Sequence, residues 1–533
     1  MRIILIAITI LLFNYCTVSA QQAKPKIKNW HYLDFATDGY RGISLNQAYE
    51  LLKGRKSDPV IVAVIDSGID TLQPDLKPVL WHNPGEIPNN KKDDDGDGLV
   101  DDYYGWDYLG APNGENLSVS ISDDWRTYHR FKKQFEGKDS AQIPKELQWQ
   151  YREWRRAHQK LTHSYDNSSR IIDNLRANWS IANRSDTILR EMLHKEVFTA
   201  KDLDTFHATP ASQQLISMWK EIFAGREINN VEFLKSFGDF KKEKEDNLIK
   251  LTTAPRPYRD ELLKDNGYDI TKVKYGNNNL TGFSGYHGTS VSSVIGAVRN
   301  NGIGIDGIAD NVRIMMIRGI LGKDEYDKDV AVSIRYAVDH GAKVINMSFG
   351  KSVSPDKKWV DDAIQYALSK DVVLVHAAGN DAADNDADDN YPSSHTIEGV
   401  SLPNVIQVGA SGDASEGGIV AAFSNYGKKT VDVFAPGVDI NCAIAGNGTQ
   451  LASGTSLASP VVAGIAALLR SYFPSLKAAE IVDVIKRSGA AVTEPVVKPG
   501  TEEKVPLSEL CNSGKIVNAA GAVKMAMEYG KMK

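Results

Sequence analysis

Short, continuously apolar runs alternate with longer segments whose apolar positions recur at helical spacing. VIVAVID (60–66) is rich in β-branched residues with no polar alternation, the pattern of a strand buried on both faces. Runs of the same kind lie at 312–317, 343–349, 372–375, 405–408 and 431–434. Between or after them, 289–299, 328–340, 358–370, 456–472 and 477–488 carry helix-period patterns, and 519–529 predicts a short closing helix. Such alternation predicts an α/β fold, a doubly wound and mostly parallel sheet with helices on both faces.

The stretch 111–275 breaks this texture. It is charged, nearly free of valine, and holds Trp125, Trp149, Trp154, Trp179 and Trp219. KELQWQYREWRRAHQKL and SDTILREMLHKEVF within it read as two amphipathic helices with charged outer faces. The pattern predicts an inserted, mainly helical subdomain over 111–275, with the sheet domain formed by 58–110 and 276–533. Surface elaboration and a lid, exosite or partner-binding module both fit such an insert. Residues 21–57 carry Trp30, Tyr32, Leu33, Leu45, Tyr49 and Leu51, which predicts that this segment docks on the sheet domain.

Composition adds three constraints. A chain of 533 residues that is 42% hydrophobic can bury a large core. Its formal net charge of −6 gives no basis for a nucleic-acid or anionic-membrane partner. Arg2, the run IILIAITILLF and Val18-Ser19-Ala20 read as a secretory leader over 1–20, too short for a stable membrane span, and predict a secreted or periplasmic protein. Phe13, Asn14 and Tyr15 are poor company for lipidation of Cys16. Past that leader only Cys442 and Cys511 remain, as a disulfide or as two buried thiols.

Three segments carry candidate chemistry. VIVAVIDSGID delivers Asp66 at the carboxyl end of a buried strand, where open α/β sheets place their sites. YHGTSVSSVIGA sets His287 at the start of an apolar helix. GTSLASP followed by VVAGIAALL places Ser456 on a small-residue turn at a helix N-terminus, with its unpaired N–H groups nearby. A serine attacks a carbonyl only when a base takes its proton, and a carboxylate that orients the imidazole completes the set.

These segments, in the order Asp66, His287, Ser456, resemble the subtilisin-like serine peptidases. The resemblance extends to Ala377-Ala378-Gly379-Asn380, Asn346-Met347-Ser348-Phe349-Gly350, Phe423-Ser424-Asn425-Tyr426-Gly427, Ala435-Pro436-Gly437 and the closing Ser513-Gly514-Lys515-Ile516-Val517-Asn518-Ala519. It implies a secreted serine endopeptidase of subtilisin-like fold acting on a protein or peptide substrate, with Asn380 and the Ser456 N–H donating to the oxyanion. It further implies that Ser348, Phe349 and Gly350 form one substrate edge and that Ala377, Ala378 and Gly379 line the base of the principal pocket. Small residues there predict room for a large apolar side chain. A catalytically silent scaffold that uses the insert to bind a partner is the alternative. Ester or lipid hydrolysis is disfavoured, because the serine lies in GTSLASP rather than G-x-S-x-G.

Two acidic clusters complete the reading. Asp93, Asp95 and Asp97 with Gly98 match the first half of an EF-hand calcium loop, but Tyr104 stands where the closing glutamate belongs. A structural calcium held by Asp93, Asp95, Asp97, Asp101 and Asp102 is one reading, and a solvated acidic turn is the other. After Asn380, the run with Asp381, Asp384, Asp386, Asp388 and Asp389 reads as a solvated loop, a cation site or a surface for basic substrates.

Overall fold

A computed structural model describes residues 27–207, 209–210, 212–281, 286–322, 324–413 and 416–532; the leader over 1–20 lies outside them. These residues form two compact units. The smaller comprises Tyr128–Lys132 and Arg155–Pro255, and the larger comprises 27–127, Lys133–Trp154 and 256 onward. The separate unit is thus narrower than the insertion expected over 111–275, whose two ends belong to the larger unit.

In chain order the strands are β1 (Val60–Asp66), β2 (Gly105–Asp107), β3 (Val312–Arg318), β4 (Val344–Met347), β5 (Val373–Ala377), β6 (Val405–Asp413), β7 (Glu416–Val420), β8 (Val433–Pro436), β9 (Ile440–Ala443), β10 (Thr449–Ala452), β11 (Ala490–Ala491), β12 (Val496–Val497), β13 (Lys504–Val505) and β14 (Lys515–Ile516). The main sheet has ten strands in the order β11-β14-β8-β6-β5-β4-β1-β3-β2, with β7 added on β6. Pairings from β2 through β14 along this path are parallel, and β7 and β11 pair antiparallel. The principal helices are α1 (Leu45–Leu52), α2 (Gln148–Leu193), α3 (Gln213–Phe223), α4 (Asn230–Ile249), α5 (Tyr286–Gly296), α6 (Asp327–Asp339), α7 (Lys357–Ser369), α8 (Thr455–Tyr472), α9 (Ala478–Ser488) and α10 (Ala519–Met532). The strand and helix runs read from the sequence fall on these elements with shifted ends.

The two-sided burial of β1 follows from its residue types. Val60, Val62 and Val64 join a core with Val291 of α5, Val461 and Ile465 of α8, Ile481 of α9 and Val523 of α10. Ala63 and Ile65 point the other way, into a core with Ile334 of α6 and Ile364 of α7. Each such valine or isoleucine contributes about 1.5–3 kcal/mol when fully buried. Residues of the segment 27–57 pack on this core. Trp30 Nε1 donates to the Val438 carbonyl at 3.0 Å, Tyr49 Oη to Ile308 O at 2.8 Å, and the Ala519 N–H to Ile43 O at 2.7 Å. His31 beside them is fully buried with neither ring nitrogen hydrogen-bonded, and burial pushes its pKa down to about 3.

The two amphipathic segments of the insertion belong to one 46-residue helix, α2. No glycine or proline interrupts its sequence, so nothing local breaks the hydrogen-bond ladder between them. In the smaller unit Phe198, Trp219, Phe223 and Phe233 pack on Ala182 and Leu189 of that helix, and Trp219 Nε1 donates to Ser185 Oγ at 2.9 Å. Cys442 and Cys511 are both buried free thiols.

Candidate active site

Asp66 ends β1 and is buried, 2% exposed. Its neighbour in register is Arg318 on β3, but that guanidinium is committed to Asp107 at 3.0 Å and to Ser67 O at 3.1 Å. The Asp66 carboxylate instead accepts from His287 Nδ1 at 2.8 and 2.9 Å and from the Ser67 N–H at 2.7 Å. His287 is the second residue of α5, 221 positions away, and its side chain is 42% exposed. A carboxylate facing Nδ1 requires the proton there and leaves the Nε2 lone pair outward. The Asp66 charge raises the His287 pKa above its ordinary value, against partial burial that pulls it down.

What allows these two segments to meet is an absence of side chains. Gly68 has φ of +121° and Gly288 opens α5 beside it; a Cβ on Gly288 would lie 2.1 Å from Gly68 O. Any larger residue at 288 would push the His287 turn off the end of β1.

Ser456, half-buried, is the second residue of α8. Pro460 lies four residues on inside the same helix and has no N–H for the Ser456 carbonyl. Ser348 supplies the missing donor, its Oγ reaching Ser456 O at 2.8 Å. Asn346 Nδ2 donates to Ser348 Oγ at 2.9 Å, and Ser459 Oγ donates to Asn346 Oδ1 at 2.8 Å. A buried polar network therefore fixes the start of α8 on the end of β4. The Ser456 hydroxyl itself donates to Ser348 O at 3.2 Å.

Asn380 follows β5 and is exposed. Its Oδ1 accepts from the Thr455 N–H at 2.8 Å and from Thr455 Oγ1 at 3.0 Å. That occupies the oxygen and leaves the Nδ2 donors for whatever enters. Among the first four N–H groups of α8, those of Leu457 and Ala458 reach Gly454 O and that of Thr455 reaches Asn380. The Ser456 N–H has no acceptor within the helix.

Ser348, Phe349 and Gly350 follow β4, and Ala377, the last residue of β5, leads into Ala378 and Gly379 beside them. Buried His376 joins the two segments, with its ring on Phe349 O at 2.7 Å through Nε2 and on Gln407 Nε2 at 3.2 Å through Nδ1. Burial lowers its pKa to about 4, which fits the neutral ring those partners require. The space beside Gly350 is less open than the small residues predict. A Cβ at Gly350 would meet Asn390 Oδ1 at 2.6 Å, while Asn390 and Asn385 donate to Ala378 O at 2.8 and 2.9 Å. Thr455, His376 and Asn390 are the residues that sequence reasoning missed. The first lay unassigned in a quoted motif, and the other two become informative only through their three-dimensional partners.

Most of the acidic run after Asn380 is engaged. Asp384 accepts from the Asp386 N–H at 3.0 Å, Asp386 caps the N–H groups of Lys429 and Thr430, and Asp389 pairs with Arg152. The earlier cluster divides. Asp93 accepts from Gly96 and Gly98 N–H at 2.7 and 2.8 Å, and Asp101 from Asn90 and Lys91 N–H at 3.1 and 2.8 Å. Both close their own loop and stand outside the convergent groups. Asp95 and Asp102 converge with Glu86, and Asp95 and Asp97 converge with His340, each set within 4.8 Å. Burial raises the pKa of Asp97 and pushes that of Asp102 up to about 6. Glu86 and His340 carry no local sequence signal, because they come from a preceding loop and from the end of α6.

Comparison with known proteins gives a consistent result. The profile of the Subtilase family matches residues 57–506. A thermophilic serine proteinase from Bacillus sp. (strain AK1) is 42% identical over 206 residues, 38% of this chain and 46% of the relative. Thermitase from Thermoactinomyces vulgaris is 40% identical over 187 residues, 35% of this chain and 61% of the relative. A solved protease from Pseudoalteromonas arctica is 30% identical over 45% of this chain and 70% of its own, with a TM-score of 0.36. The chain thus spans about half the length of the curated relatives it matches. Among the described residues no helix is long and apolar enough to cross a membrane.

Proposed function

The chain belongs to the subtilase family, and from that premise we propose that it is a serine endopeptidase whose triad is Asp66, His287 and Ser456. The observation that carries this reading is the Asp66–His287 contact at 2.8 Å, made between segments far apart in sequence, with the His287 helix α5 sharing a core with the Ser456 helix α8. Ser456 Oγ turns from Ser348 O toward the imidazole, attacks the substrate carbonyl, and His287 Nε2 takes its proton. Asp66 holds Nδ1–H and stabilises the imidazolium that forms. Charge developing on the carbonyl oxygen is met by Asn380 Nδ2 and the Ser456 N–H, donors worth on the order of 3 kcal/mol each. The imidazolium then protonates the leaving amine, and water repeats the sequence on the acyl-enzyme.

We assign Ser348, Phe349 and Gly350 to one edge that pairs with an extended peptide and to the wall of its principal pocket, and Ala377, Ala378 and Gly379 to the base of that pocket. Asn390 gives that pocket a polar boundary. The organisation we propose is a peptidase domain over 58–110 and 276–533, an insertion over 111–275, a docked segment over 21–57, and a leader over 1–20 that supports export.

A bound calcium ion fits the carboxylates better than a catalytic metal does. Glu86 and Asp102 offer oxygens that converge with Asp95, Asp97 converges with Asp95 and His340, and burial, which raises the pKa of Asp97 and Asp102, favours a cation beside them. Such an ion would supply countercharge that braces the loop against α6, and no step of the reaction passes through it.

The experiment is labelling with a fluorophosphonate, then casein cleavage, for the parent and for Ser456→Ala. Labelling and cleavage by the parent alone support the peptidase. A well-folded parent that neither labels nor cleaves overturns it in favour of a silent scaffold.

A further inference from the structure

The beginning of α2 carries three side chains that grip the far side of the proposed pocket. Glu153 is completely buried, and its carboxylate accepts from the Ser354 N–H at 2.8 Å and from Tyr391 Oη at 3.2 Å. One helical turn earlier, Trp149 Nε1 donates to the carbonyl of the same Ser354 at 2.8 Å, and its ring meets Tyr391 edge-on at 6.3 Å. Arg152 reaches Tyr391 Oη at 3.2 Å and pairs with Asp389. Spacing of three and four residues puts these side chains on one stripe of the helix.

Both gripped segments continue the candidate substrate walls. Ser354 lies four residues past Gly350, and Tyr391 directly follows Asn390. They are already joined by a two-way backbone pairing, Lys351 N–H to Tyr391 O at 3.1 Å and Tyr391 N–H to Lys351 O at 2.8 Å. Ser354 and Tyr391 are buried, 1% and 2% exposed. The Lys351–Tyr391 pairing stands Asn390 against Gly350, and the carboxylate that holds Ser354 and Tyr391 at once behind it belongs to the insertion.

We propose that Glu153 is a positioning residue for substrate binding: through Ser354 and Tyr391 it sets the separation of Gly350 and Asn390 across the principal pocket. A carboxylate suits this task because it accepts two hydrogen bonds at a fixed spacing and has no proton of its own to place. Buried charge-assisted bonds also hold geometry more tightly than neutral ones. The insertion is then a part of the pocket wall. This inference rests on the peptidase reading of the site.

The test compares the parent, Glu153→Ala, Glu153→Gln and Tyr391→Phe as full chains. Each is first titrated with the fluorophosphonate, so that rates refer to intact Ser456, and then assayed on peptides that differ only in the residue preceding the scissile bond. Glu153→Ala is expected to raise KM about tenfold, the factor a lost buried hydrogen bond of about 1.4 kcal/mol gives, with kcat within about twofold. It should also change the ranking of the peptides. Glu153→Gln keeps an acceptor for the Ser354 N–H and should recover most of the KM. A folded, fully labelled Glu153→Ala enzyme with the parent's KM and ranking would overturn the proposal. Should that variant not fold, Tyr391→Phe decides: it removes one hydroxyl, and an unchanged KM and ranking equally overturns it. No labelling of the parent would fail the peptidase reading itself, before any variant is compared.

Discussion

Thr455 fixes the amide of Asn380: its N–H and its hydroxyl both donate to Asn380 Oδ1, at 2.8 and 3.0 Å, and the hydroxyl also accepts from the Gly379 N–H at 3.2 Å. The residue beside the proposed nucleophile therefore orients the proposed oxyanion donor. Asn380→Ala is expected to lower kcat by about two to three orders of magnitude with little change in KM. Thr455→Val loses only the hydroxyl and should cost about tenfold in kcat, as one hydrogen bond of about 1.4 kcal/mol does. The double variant should be no worse than Asn380→Ala alone, which steady-state kinetics on titrated enzyme will show.

The pH profile follows from His287. It must be neutral to accept the serine proton, and Asp66 raises its pKa. Activity should therefore be complete at alkaline pH and fall through an inflection above the ordinary histidine value as pH drops. Asp66→Asn should move that inflection to lower pH and reduce kcat by about 10⁴-fold, the loss expected when the imidazole's orienting carboxylate is neutralised. An inflection unmoved by Asp66→Asn would assign the titration to another group.

Acid stability follows from His31 with the opposite sign. Its folded pKa of about 3 lies below that of the unfolded chain, so the unfolded state takes up the proton first. The stability it contributes is whole above about pH 6.5 and is lost progressively down to about pH 3, by up to about 1.4 kcal/mol per pH unit. Buried His376, at about 4, acts in the same direction. His31→Leu should lose less melting temperature than the parent between pH 7.5 and pH 5. Equal losses would place the acid sensitivity elsewhere.

Calcium should raise the melting temperature by mass action, since it binds only the folded loop. Asp95→Asn is expected to remove part of that gain, because Asp95 belongs to both convergent groups. Isothermal titration should lose one binding event in that variant. An unchanged gain and unchanged stoichiometry would show the cluster to be an acidic turn.

How much of this was written in the chain depends on distance. The strand runs, the order Asp66, His287, Ser456 and the amide-bearing turn after β5 are local patterns; the strands form where those runs lie, and the Asp66–His287 contact joins two of the motif segments. The metal ligands are harder to read. Alternate aspartates predict ligands only if the loop leaves them free, and Asp93 and Asp101 are consumed by their own backbone N–H groups. Their replacements, Glu86 and His340, arrive from outside the motif. Asn390 beside Gly350 is not legible in the sequence, because it lies beyond an acidic run with the pattern of a solvated loop. The two helices of the insertion merged because charge composition gives their faces but not their ends.

β1 has consequences for how the protein is made. Its two neighbours in the sheet, β3 and β4, both lie beyond the 221 positions that separate Asp66 from His287. During synthesis at about 5–20 residues per second, that strand waits on the order of ten seconds to a minute for a partner. Seven consecutive residues of an inner strand, buried but for partly exposed Ile61, stand unpaired in that interval, the kind of segment that seeks other edges. Ser456 emerges later still, so the proposed triad cannot assemble until most of the chain has been made.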